Sequence, residues 1–239
     1  MDVNAILSEA KKLGASDVHF IPGIKPKLRI NRDLIELEQY EVINKDDILE
    51  IYDYFLKGNV DKDEYFRKNK VLDTSAEFED IRLRVNISYS DGLPVITTRL
   101  IRNELPTYEQ LGVPDIVRRM TNQTQGLILV TGKTNSGKST TLNALINYIN
   151  DNENKKILTL ESPVEYKHKS KKSIIVQKEV GVGGDVPAYS IGTKNSLRED
   201  CDILVIGEIR DKETMEAAIE TAESGHLVIG TLHTKSCAE

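Results

Sequence analysis

Residues 126–149 read GLILVTGKTNSGKSTTLNALINYI, and this stretch decides the architecture of the half of the chain that contains it. An apolar run ends in a glycine-rich loop. The loop opens onto a segment with Leu142, Leu145, Tyr148 and Ile149 at helical spacing. Between strand and helix, Gly132, Lys133, Thr134, Asn135, Ser136, Gly137, Lys138 and Ser139 satisfy the pattern G-x-x-x-x-G-K-[ST], with Thr140 following. Glycines let the backbone turn tightly so that successive N–H groups face inward, and the helix N-terminus adds partial positive charge; together they suit a phosphate. Lys138 is then placed to reach β- and γ-phosphates, and the Ser139 hydroxyl to meet Mg²⁺, a hard cation that takes oxygen ligands.

Working outward, KKILTL, SIIVQ, DILVIG and HLVIGT are further short apolar runs of the kind found in sheets covered on both faces. A helical pattern at 212–224 lies between two of them, so residues 115–239 read as a mainly parallel α/β, RecA-like core. Residues 103–114, with two prolines and no sustained period, read as a linker. Residues 1–102 have a different rhythm. An amphipathic helix ends at Gly14, and extended runs follow at 17–21, 27–30 and 34–38, the last two joined by an Asn-Arg-Asp turn. Helical segments are expected at 46–56 and 59–70. The runs AEFED, IRLRVNISYS and LPVITTRLI come next, the last two joined at Ser90-Asp91-Gly92 as a long hairpin. Grouped strands and helices make this an α+β domain.

Hydrolysis needs a group that orients or deprotonates water beside the γ-phosphate, and strand ends near the phosphate loop are where to look. Glu161 follows the apolar run ILTL and precedes Ser162-Pro163; Glu208 ends DILVIG, with Gly207 standing where many phosphate-loop proteins carry a Mg²⁺-linked aspartate. His233, just past the last strand, lies where a γ-phosphate sensor would sit. His226 lies seven residues earlier, and strand alternation prevents both from sharing one metal. His19 and His168 read as ordinary histidines, and KHKSKK at 167–172 as a solvated loop. The net charge of −6 argues against nucleic acid as a partner. The two cysteines, Cys201 and Cys237, are no disulfide framework, and no apolar window has the length of a membrane span.

Four motifs in fixed order resemble those of the secretion ATPases of type IV pili and type II secretion: the phosphate loop, ILTLESPVEY, REDCDILVIGEIRD and GHLVIGTLHT. ASDVHF, RLRVN and TTRLIR resemble the PAS-like domain that precedes the motor core in that family. The likeness covers nearly the whole chain and, because the chain opens on the ASDVHF domain, is greatest to the retraction branch. It implies an ATP- and Mg²⁺-dependent motor for pilus retraction and twitching motility. The implied assembly is a homohexamer docked on an inner-membrane platform protein, cytoplasmic and peripheral to the membrane. It further implies that Glu161 activates water, that Glu208 acts on the Mg²⁺ shell, and that His233, with His226, couples phosphate state to the subunit interface. Arg84 and Arg99 match arginines that close over the γ-phosphate, and Arg198 an arginine at the interface. Departures from the family are Lys133, Asn135, Ser162 and Lys194, and the end of the chain at Glu239, where a C-terminal helical region is expected to be missing and the core truncated. Two other functions fit the phosphate loop: a nucleotide-binding regulatory switch with little hydrolysis, and a RecA-like nucleic-acid motor.

Overall fold

A computed structural model describes residues 1–101, 105–133 and 136–233. The chain divides into two compact units, Met1–Asn103 and Glu104–Glu239.

The first unit contains helices α1 (Val3–Lys12), α2 (Lys45–Leu56) and α3 (Val60–Asn69). Its strands are β1 (Asp17–Phe20), β2 (Lys27–Ile30), β3 (Asp33–Glu36), β4 (Val71–Phe78), β5 (Ile81–Ser90) and β6 (Leu93–Ile101). They form one antiparallel sheet in the order β3-β2-β1-β6-β5-β4. β3 starts and ends a little earlier than expected, because Asn31 and Arg32 both take positive φ and turn the chain tightly before Asp33. The β5–β6 hairpin closes in the same way, Asp91 and Gly92 at φ 49° and 77° between the paired Ser90 and Leu93. Two left-handed residues give the turn whose twist matches the strands it joins. One sheet face sends Val18, Phe20, Leu28, Val85, Ile87 and Ile96 into a core completed by Ile6, Leu7, Ile48, Ile51 and Phe66 of the helices. Each helix starts on a side-chain cap, Asp2, Asn44 or Asn59, and Asn44 with Asp47 forms a complete capping box.

The second unit contains α4 (Asp115–Met120), β7 (Gly126–Thr131), α5 (Lys138–Asn152), β8 (Lys156–Glu161), β9 (Ile174–Glu179), α6 (Tyr189–Ser196), β10 (Ile203–Ile206), α7 (Lys212–Glu223) and β11 (Leu227–Leu232). Among the described residues its five strands run parallel in the order β7-β11-β10-β8-β9. Successive residues of one strand serve opposite cores. Leu158, Leu204 and Val228 pack with Ala218 and Ala222 of α7, whereas Ile157, Ile203, Val205 and Ile229 pack with Leu142, Ile146 and Ile149 of α5. That double burial is why the strands read as unbroken apolar runs. The mixed α/β architecture expected from sequence, an antiparallel unit before a parallel core, is the one observed.

Two helices were absent from the reading of the sequence. α4 follows a segment in which Tyr108 is buried, packs its ring at a tilt against Tyr148 with centroids 5.8 Å apart, and donates its hydroxyl to the Pro114 carbonyl at 2.6 Å. α6 contains Gly192, Ser190 and Thr193, poor helix formers, and exists through tertiary packing. At Gly192 a Cβ would stand 2.8 Å from a Leu160 methyl, so glycine lets α6 lie this close to β8 without displacing that side chain.

Candidate functional site

Parallel strands bring their C-terminal ends to one edge of the sheet, and the strand order makes that edge chemically dense. Gly132 follows β7, Glu161 ends β8, Gly207 and Glu208 follow β10, and His233 follows β11.

The phosphate loop begins with Gly132 at φ 154°, where a Cβ would collide with Ser136 Oγ at 2.6 Å. Thr134 and Asn135 lie outside the described residues. Lys133, Ser136, Gly137 and Ser139 are exposed. α5 starts at Gly137, φ 90°, with no side-chain cap and no acidic residue in its first turn. The helices α1, α2, α3 and α7 all have side-chain caps. A long helix whose first N–H groups meet no side-chain acceptor is suited to an anion, and the tight glycine cradle beside it fits a phosphate.

Lys138 is buried, and its ammonium donates to the carbonyls of Gly132 at 2.9 Å and Lys133 at 3.0 Å. It also stands 3.4 Å from His233 Nδ1. The other ring nitrogen of His233, Nε2, is 2.9 Å from Glu208 Oε1, and Arg210 takes Glu208 Oε2 at 2.6 Å. A neutral imidazole with its proton on Nε2 satisfies both neighbours, accepting from Lys138 and donating to Glu208. Lys138, His233 and Glu208, predicted separately from three motifs, therefore form one connected group.

Gly207 explains the missing aspartate. Its N–H donates to the Leu160 carbonyl at 2.8 Å, and a Cβ there would lie 2.9 Å from that oxygen and 3.3 Å from Glu161 Cα. β10 passes too close to β8 for any side chain at this position.

Glu161 is buried and held by neutral donors. Thr159 Oγ1 donates to its Oε1 at 2.7 Å and Gln177 Nε2 to the same oxygen at 3.0 Å. Burial pushes its carboxyl above the usual range, against the opposing pull of these hydrogen bonds. The loop after it is stitched onto α5. Tyr166 meets Thr140, and His168 lies between the amides of Asn143 at 2.7 Å and Asn147 at 3.2 Å. Burial lowers the His168 ring to about 4, so it is neutral. Asn150 accepts from the Lys171 N–H and donates to the Lys169 carbonyl. His168 is thus a structural part of this wall, and the rest of the KHKSKK segment is exposed, a solvated loop as expected, tied to α5 through its backbone.

His226 is elsewhere. It precedes β11, at the opposite end of that strand from His233, beside Ser224 Oγ at 3.0 Å. Arg198 follows α6 and donates to Asn195 Oδ1. Arg84 and Arg99 belong to the first unit, where they are direct partners across β5 and β6. Arg99 is tied by Nε to Asp17 Oδ1 at 3.0 Å, which offsets the repulsion between the opposed guanidiniums. Among the described residues no cluster of three or more His, Cys, Asp or Glu could hold a metal ion. No helix among them is long and apolar enough to cross a membrane.

The sequence model of the type II/IV secretion system proteins matches residues 1–239. The chain is 38% identical to the type IV pilus retraction ATPase PilT of Pseudomonas aeruginosa, over 100% of this chain and 68% of that protein. It is 41% identical to a twitching motility protein of Neisseria gonorrhoeae, over 73% of this chain and 46% of that one. The crystal structure of the pilus retraction motor PilT with bound ADP superposes with a TM-score of 0.90 at 38% identity, covering 98% of this chain and 67% of that one. The ATPase DotB of Legionella pneumophila gives 0.86 at 29% identity, covering 98% of this chain and 65% of that one. A family match over the full chain and relatives of this similarity place the protein: it belongs to the type II/IV secretion system family, among that family's ATPases.

Proposed function

We propose that this chain is the ATP-hydrolysing motor of a type IV pilus or a related secretion apparatus and drives pilus retraction. The observation that carries the reading is the convergence of Lys138, His233 and Glu208 at the phosphate loop, with Glu161 on the next strand but one from β11. The similarity to the retraction ATPase of Pseudomonas aeruginosa supports the direction of the motor.

ATP binds with its phosphates on the Gly132–Thr140 loop, where backbone N–H groups and the start of α5 meet the negative charge. Lys138 exchanges the Gly132 and Lys133 carbonyls for phosphate oxygens. Ser139 and Glu208 would hold Mg²⁺, which neutralises charge on the transferring phosphoryl group when bound. Glu161, kept basic by burial, takes a proton from the attacking water. His233 contacts Lys138 and Glu208 together, so phosphate loss is felt through one ring. Arg84 and Arg99 supply guanidinium charge to the γ-phosphate, a task suited to a planar, permanently charged donor. The assembly that turns these cycles into movement is a homohexamer on an inner-membrane platform protein, at the cytoplasmic face, with no role for nucleic acid.

The test is steady-state ATP turnover and ADP affinity of the wild-type chain and Glu161→Gln. Turnover is expected to fall about 100-fold or more, the usual contribution of a general base, with affinity unchanged. Tight binding without turnover in the wild type would instead make the protein a nucleotide switch.

A further inference from the structure

We propose that Gln177 is the positioning residue for Glu161, holding its carboxylate in register with the helix that starts at the phosphate loop. The proposal rests on the reading of Glu161 as the water-activating group.

Gln177 sits on β9 directly opposite Thr159 of β8, and Glu161 lies two residues farther along β8 on the same face. From there its amide makes three bonds. Oε1 accepts the His168 N–H at 2.9 Å, while Nε2 donates to the Tyr166 carbonyl at 2.7 Å and to Glu161 Oε1 at 3.0 Å. This set permits one orientation. Rotated by half a turn, the amide would aim its oxygen at a carbonyl and a carboxylate and its NH₂ at an N–H. The side chain is therefore locked by the 166–168 loop, and the lock is delivered to Glu161.

The loop is in turn fixed to α5. The His168 ring meets Asn143 Oδ1 at 2.7 Å, and Asn143 Nδ2 donates to the Ser139 carbonyl at 2.9 Å. A continuous path of hydrogen bonds and one residue's backbone runs from Ser139 through Asn143, His168 and Gln177 to Glu161. Every side chain along it is uncharged. A cation in place of Gln177 would also orient the carboxylate but would hold its proton affinity down; a neutral donor orients it and leaves most of its basicity. Gln177 is half-buried on β9, the edge strand of the sheet, where Leu or Met would fill the space without hydrogen-bond demands.

The experiment measures kcat, KM for ATP, and ADP affinity in Gln177→Met, Gln177→Glu, Glu161→Gln and the double variant Glu161→Gln/Gln177→Met. Gln177→Met keeps side-chain length and removes the donor. It is expected to lower kcat about tenfold or more with KM and ADP affinity unchanged, and to change residual turnover less than about twofold in the Glu161→Gln background. Gln177→Glu retains an acceptor for the His168 N–H, sets a second carboxyl beside Glu161, and is expected to lose kcat while staying folded. It decides the matter if the methionine variant does not fold. Wild-type kcat in either folded variant, a proportional rise in KM, or an equal loss in both Glu161 backgrounds overturns the proposal. Wild-type turnover in Glu161→Gln overturns the underlying reading instead, so the two failures are distinguishable.

Discussion

Glu208 and Glu161 stand at the ends of neighbouring strands, and they are held by opposite means. Glu208 is partly exposed and grips two nitrogen groups, His233 and Arg210. Glu161 is buried and takes only neutral donors, Thr159 and Gln177. Ion pairs near solvent are individually weak and readily exchanged, which suits a carboxylate that must change partners when a cation or phosphate arrives. A carboxylate bonded by neutral groups in a dry pocket stays in place and retains its affinity for a proton. The contrast separates the work of the site into a side that re-pairs and a side that stays put.

The strongest challenge to that division is removal of the cation that reaches the re-pairing side. Lys138→Ala is expected to reduce ATP turnover by roughly 10²–10³, the range seen when a preorganised charge-stabilising donor is lost, and to weaken nucleotide binding as well. Normal turnover would mean that the Lys138–His233–Glu208 group is idle.

A smaller effect is expected at the join between the two sides. Gly207→Ala drives a Cβ to 2.9 Å from the Leu160 carbonyl, a backbone atom that cannot swing away. A stability loss of about 1–3 kcal/mol, read as a lower denaturant midpoint, follows from such overpacking. An unchanged midpoint would show that β8 and β10 can separate, and that the geometry of the two carboxylates is not tightly linked.

The subtlest test concerns proton affinity. Burial raises the folded-state pKa of Glu161, so the neutral form is favoured in the fold more than in the unfolded chain. Its stabilising contribution is full below the unfolded pKa and is lost as pH rises through the folded one. Glu161→Gln should therefore unfold at an equal or higher temperature than wild type near neutrality, with the difference shrinking as the solution is acidified. In the wild type the acid limb of the turnover profile should lie above the ordinary carboxylate range, because turnover needs the ionised form. The groups that face Glu161 from neighbouring elements are Glu165 of the following loop, Tyr189 of α6 and, in register on β9, Glu179; none is a cation that would reverse the sign.

The phosphate loop was readable because its chemistry occupies consecutive positions, and Glu161, Glu208 and His233 because parallel strands deliver their ends to one edge. The wall around Glu161 was not. Gln177 reaches Glu161 only through the register of β8 against β9, across sixteen residues of chain, a pairing no local pattern specifies. A signal was nevertheless present. SIIVQ ends an apolar run in an amide, and Asn143, Asn147 and Asn150 repeat at helical spacing on a helix whose other face is apolar. Polar residues in step with a buried face ask for partners, and here the partners are the loop that begins after Glu161. α6 escaped notice for the opposite reason: it has glycine, serine and threonine where helix formers are expected, and packing against β8 overrides them.

The uncapped start of α5 has a consequence beyond ligand recognition. α1, α2, α3 and α7 carry their own capping side chains, whereas α5, like the shorter α4 and α6, does not, and under the proposed function the nucleotide's phosphates take that place. Nucleotide thereby becomes a component of the folded state. At a free concentration a hundred times its dissociation constant it adds about 2.7 kcal/mol to the resistance of this unit to unfolding. The resistance of this unit to heat and proteases then follows the free concentration of whichever nucleotide occupies the loop, triphosphate or diphosphate.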